Sequence, residues 1–158
     1  MQKYSNLQIC LHWIVFVLII FQYLLHEPIS EAFDFRLEGK EFTQSALISL
    51  HLVSGGVIFL LVVTRLWIRV TEGVPPYSEE VTVIIKYLSK VVHWSFYAIL
   101  ILLPITGGIA WFQLSEDAGV AHEALRGLLI IFILLHVSAS LFHYIILKTN
   151  LFQRMWWG

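Results

Sequence analysis

Four long apolar runs separated by short polar stretches dominate the chain, at about residues 7–25, 46–68, 91–112 and 124–147. Each is near or above the roughly 20 residues that a helix needs to cross bilayer hydrocarbon. Unpaired backbone groups are expensive in lipid, so unbroken segments of this length must be helices and not the shorter alternating strands of a barrel. The pattern predicts an all-α, integral membrane four-helix bundle. No repeat or low-complexity stretch divides it, so residues 1–158 are read as a single domain. Pro75-Pro76-Tyr77-Ser78 breaks the chain after the second run. Residues 79–90 are expected to form a short amphipathic helix on the membrane face, a lip for a lipid-soluble substrate. In the third run, Pro104 followed by Gly107 and Gly108 predicts a bend or the close packing of a neighbour, and close packing is the reading taken.

Composition places the chain outside the soluble range: 58% of residues are hydrophobic and 13% charged, which makes the bilayer its main solvent. The first run begins within a few residues of Met1 and ends at His26-Glu27-Pro28 without a small-residue cleavage site, so it is expected to stay in the mature protein. The single Cys10 excludes an intramolecular disulfide, a thiolate metal site and the C-x-x-C-H attachment of a c-type haem. Lys3, Arg65, Arg69, Lys86, Lys90, Lys148 and Arg154 fall on one side of the spans, and Arg36, Lys40 and Arg126 on the other. The positive-inside rule then puts both termini in the cytoplasm and residues 27–45 and 113–123 outside. Eight of the eleven acids face outward: Glu27, Glu31, Asp34, Glu38, Glu41, Glu116, Asp117 and Glu123. Tyr4, Trp67, Trp156 and Trp157 stand where interfacial aromatics belong. No nucleic-acid partner is expected.

Against this background seven histidines stand out, and six of them, His12, His51, His93, His122, His136 and His143, lie in or at the ends of the apolar runs. Ionisable side chains at membrane depth are costly and need a purpose. One such residue alone reads as hydrogen-bonded packing; six weaken that reading. Zinc wants three or four ligands converging on one point, and these histidines are spread in depth with no H-E-x-x-H spacing. Haem b fits better, because its iron needs only two axial imidazoles from facing helices. His122 and His136, fourteen residues apart, lie about 21 Å apart along a helix axis and some 40° apart in azimuth, which leaves room for two haems on one helix. Matching depth, the outer haem takes His51 and His122 and the inner haem His12 and His136; His12 with His143 is the alternative for the inner one. Gly55, Gly56, Ser138 and Ala139 would let a flat ring approach.

His93 and His143 remain, both toward the cytoplasm near Lys86 and Lys90. A quinone needs hydrogen-bond donors and proton carriers at its carbonyl oxygens, and histidine suits both tasks. Packing against the inner haem is the competing reading for either residue. Arg126, one turn after His122, could pair with a haem propionate or attract an anionic reductant; Arg65 and Arg69 could do similar work inside, or simply snorkel. His26, beside Glu27, reads as solvated.

The stretches SNLQICLHWIVF, SLHLVSGGVIFLLVVTRLWIRV, HWSFYAILILLPITGG and HEALRGLLIIFILLHVSASLFHYIILKTNLFQRM resemble the bacterial cytochrome b561 family over nearly the whole chain. The ordered set L-Q-x-x-x-H-W, H-x-x-x-G, H-E-x-L and H-x(6)-H carries the resemblance. It implies four spans in the inner membrane, two b haems and electron transfer to ubiquinone. By position it gives His12 and His136 to the inner haem, His51 and His122 to the outer, and His93 and His143 to the quinone. The family includes superoxide oxidases, which makes superoxide the leading donor. A second expectation is a membrane anchor and electron-transfer subunit for a periplasmic dehydrogenase or hydrogenase, whose basic face would dock on the outer acids. A haem-free, histidine-lined transporter is the remote third. The loop between the last two spans, read as about ten residues, is shorter than the superoxide oxidase pattern. The acidic outer face is a poor field for an anion, which only a local patch of Arg36, Lys40 and Arg126 would offset.

Overall fold

The structure, a computed structural model, describes residues 3–77, 81–149 and 151–156. The expected roles of Ser78, Trp157 and the first two residues of the 79–90 segment lie outside the described residues. Five α-helices run in the order α1 Asn6–Leu24, α2 His26–Leu37, α3 Ala46–Thr71, α4 Val83–Gln113 and α5 Glu116–Ile145, followed by a 3₁₀ turn at Phe152–Met155. Four of them, α1, α3, α4 and α5, are long and apolar enough to cross a membrane. Their outward faces carry residues such as Leu60, Phe112 and Leu134, well exposed in the isolated chain, as lipid contact requires.

Local chemistry sets the helix starts. Ser5 and Gln8 form a capping box, Ser45 accepts from the amide of Ile48, and Ser115 accepts from the amide of Ala118; each serine satisfies an amide that the first turn leaves orphaned. Two boundaries differ from the sequence reading. The amphipathic segment after Pro76 does not stand alone, because from Val83 it continues into the third span as one 31-residue helix. The loop expected over 113–123 reduces to Leu114 and Ser115, with Leu114 in the left-handed region at φ 53°. Residues 27–45, read as loop, contain α2, whose Ile29, Ala32 and Phe33 pack with Ile48, Phe42 and Trp111.

The helices pack in the order α1, α3, α4, α5, with α4 and α5 in the most extensive contact. A mid-bundle core joins Val15 and Ile19, Ile58 and Val62, Tyr97, Ile99 and Leu100, and Leu129. Both termini meet the residue 73–76 turn at one end. Gln8 Nε2 donates to Gly73 O at 3.2 Å, Trp13 Nε1 to Met155 O at 2.9 Å, Tyr4 N to Arg154 O at 3.4 Å, and Arg154 to Pro76 O at 2.6 Å. At the opposite end α2 covers the turn between α4 and α5. Arg36 donates to Trp111 O at 2.6 Å and lies 4.5 Å over the Trp111 ring.

Candidate functional site

All seven histidines are half-buried; five of the six in the four spans fall at two depths, and His143 lies beyond them near the end of α5. Toward the termini, the His136 ring on α5 lies 6.4 Å from His12 on α1 and 5.6 Å from His93 on α4, centroid to centroid, with Phe96 at 5.5 Å. Arg65 of α3 places a guanidinium nitrogen 2.8 Å from His12 Nδ1. His93 Nδ1 donates to the Ser89 carbonyl at 2.6 Å; a carbonyl only accepts, so Nε2 keeps its lone pair. All four spans contribute to this cluster.

Toward α2, the His122 Nδ1 donates to the Leu103 carbonyl at 2.9 Å, with Thr106 Oγ1 at 3.3 Å. Nε2 of His122 is therefore also free to bind a metal, the usual arrangement of a metal-binding histidine. The ring is seated on Gly107, where an added Cβ would come within 2.9 Å of it. This is the close approach that Pro104 and Gly107 predict. His51 of α3 has a buried Nδ1 with no hydrogen-bond partner. Its backbone carbonyl accepts from Gln22 Nε2 at 3.0 Å, and the same amide donates to Ser54 Oγ at 2.9 Å, which ties α1 to α3 at this depth.

These features fit haem b. Two imidazoles on opposite faces of one iron, each at about 2 Å, have ring centroids some 6 Å apart, and His12 and His136 stand at 6.4 Å with planes 70° apart. Among the described residues no three His, Cys, Asp or Glu side chains form a metal-ion cluster, so two-ligand iron suits the donor set better than zinc. His51 and His122 make no ring contact with each other among the described residues. The expected quinone pair is likewise not joined by a hydrogen bond or ring contact: His93 turns to His136, while His143 Nδ1 lies 3.1 Å from Thr149 Oγ1, past the end of α5.

Residues 3–158 match the family model described as prokaryotic cytochrome b561. The chain belongs to this family. Over 98% of the chain and 96% of the relative, it is 29% identical to the Yersinia pestis protein named probable superoxide oxidase CybB. It is also 29% identical to a protein of Cereibacter sphaeroides named cytochrome b562, over 96% of the chain and 94% of that relative. As a prokaryotic cytochrome b561 the chain is a multi-pass membrane protein of haem b electron transfer, and the haem-free transporter finds no support.

Sequence reasoning missed three parts of the site. Gln22 carried no signal beyond being a polar residue in an apolar run. Tyr23, whose hydroxyl donates to Arg126 O at 2.6 Å, carried no signal beyond its place at the end of an apolar run. Arg65 was placed near the inner haem, but its contact with His12 spans two helices and no spacing reveals it. The outer bases do not form the patch expected of them: Arg36 is held by Trp111, Lys40 pairs with Glu38, and Arg126 lies 3.8 Å from Glu123.

Proposed function

We propose that this cytochrome b561 carries electrons across the bacterial inner membrane through two b haems and delivers them to ubiquinone at the end that holds the termini. His12 and His136 hold the haem at that end, and His51 and His122 the one nearer α2. The observation that carries the reading is the placement of His12 against His136 at 6.4 Å, fourteen residues along α5 from a second imidazole whose Nε2 is free. Each haem supplies a one-electron carrier, and the protein supplies the path. Leu129, midway between the two α5 histidines, and the apolar core around it exclude water between the two depths.

Ubiquinone takes two electrons and two protons to become quinol. His93 can accept a proton at Nε2 and pass it on, with Nδ1 anchored on Ser89; His143, near the membrane face, connects that region to the aqueous phase. The donor follows the name of the Yersinia relative: two superoxide anions give up one electron each and leave as dioxygen. With superoxide as donor, purified protein in detergent reduces ubiquinone when superoxide is generated, and superoxide dismutase abolishes the reaction. Absence of quinol under those conditions would remove superoxide as donor.

One observation favours a second donor. The α2 end presents eight acids, while two of its three bases sit beside carboxylates and Arg36 is engaged by Trp111, a field that repels a small anion and suits a basic redox protein. On this reading quinol forms only when such a protein is added in its reduced state, and the rate falls as ionic strength rises.

A further inference from the structure

We infer that Arg65 is a positioning cation that makes the centre nearer the termini the stronger electron acceptor of the two, and so directs flow toward the quinone end. The inference rests on the ligand pairs proposed above. The Arg65 guanidinium reaches from α3 to within 2.8 Å of His12 Nδ1 on α1, and His12 faces His136. A guanidinium is always charged and carries only donors. Among the described residues no carboxylate pairs with it, the ion pairs there being Lys40 with Glu38 and Arg126 with Glu123. Arg69, one turn further along α3 and 5.9 Å from the Tyr97 ring, adds a second cation at the same end.

The other depth is built with less net positive charge close to its imidazoles. His122 donates to a backbone carbonyl, and Arg126, the cation of that level, is offset by Glu123 at 3.8 Å. Reduction adds one negative charge to a centre. A fixed cation in a medium of low dielectric constant stabilises the reduced form. A carbonyl that accepts the ligand's N–H makes the imidazole more electron-donating and stabilises the oxidised form. Both effects favour electron residence nearer the termini. When Nε2 of His12 binds a metal, Nδ1 carries the ring proton and can no longer accept from Arg65, so the guanidinium turns aside from it while staying at that level. The effect survives, because it comes from the charge that α3 keeps beside His12 and not from the hydrogen bond.

The test is an equilibrium redox titration of the purified protein, followed through its visible absorption. The wild type is expected to show two midpoints, and His12→Ala to lack the higher one. Arg65→Gln lowers that midpoint and leaves the other in place, Arg65→Lys holds it near wild type, and Arg69→Gln lowers it by less than Arg65→Gln. If Arg65→Gln fails to retain haem, Arg69→Gln carries the test. The inference is overturned if the higher midpoint stays put in Arg69→Gln and in any haem-retaining Arg65→Gln, if Arg65→Lys falls as far as Arg65→Gln, or if His12→Ala lacks the lower midpoint instead. A wild type with fewer than two haems would overturn the ligand pairs and this inference with them, whereas two haems with an unmoved higher midpoint would overturn the role of Arg65 alone, so the two failures are distinguishable.

Discussion

At the scale of single residues, the site depends on small side chains that let imidazoles meet helices. An alanine methyl at Gly107 would sit 2.9 Å from the His122 Cε1, and overpacking of this kind costs about 1–3 kcal/mol. Gly107→Ala is therefore expected to shift or remove the absorption of one haem and leave the other, read from reduced-minus-oxidised spectra of the purified variant. Gln22 illustrates a second kind of support: its amide serves both the His51 carbonyl and Ser54. Gln22→Leu should lower the melting temperature in detergent, with a loss of about 1 kcal/mol, the net value of a hydrogen bond or two between membrane helices. A variant as stable as wild type would show that the link contributes nothing.

At the scale of elements, the four spans were legible because length and hydropathy in lipid leave few alternatives, and both ends of α1, the start of α3 and the end of α4 fall within one residue of the sequence reading. The other boundaries followed weaker signals. Acids at 116, 117 and 123 read as loop, yet Glu116 and Asp117 occupy the first turn of α5, where the helix dipole favours them. The α2 helix was hidden by three acids within it and two just after it, although Ile29, Ala32, Phe33 and Arg36 recur at helical spacing. What sequence could not supply were contacts across helices, Arg65 with His12 and His93 with His136, because these depend on the rotation of each span about its own axis. The two-residue turn makes a prediction: Ser115→Ala should cost about 1 kcal/mol, whereas Leu114→Gly should stabilise by about 1 kcal/mol through relief of the left-handed backbone, both read from thermal unfolding. Gly119, where a Cβ would lie 2.8 Å from Phe33 Cε1, seats α2. Gly119→Ala, at about 1 kcal/mol, should raise the population of undocked α2 about fivefold and speed tryptic cleavage after Arg36 and Lys40 accordingly. An unchanged cleavage rate would show that α2 docks without that contact.

At the scale of the whole molecule, the hydrogen bonds of Gln8, Trp13 and Arg154 gather both termini and the residue 73–76 turn at one end, and α2 closes the other. Seven basic residues lie toward the first end, the charge bias expected of a cytoplasmic face. The histidines join these two ends: one group beside the termini, one beneath α2, and an apolar core between them. The central claim is that this arrangement holds two b haems, one on each pair of histidines. The most direct measurement is the haem content per chain, by pyridine haemochrome, of wild type, His12→Ala and His122→Ala purified alike. Two haems in the wild type, with one lost from each variant and the two residual spectra different, is the predicted result. One haem in the wild type, or the same residual spectrum from both variants, would contradict it.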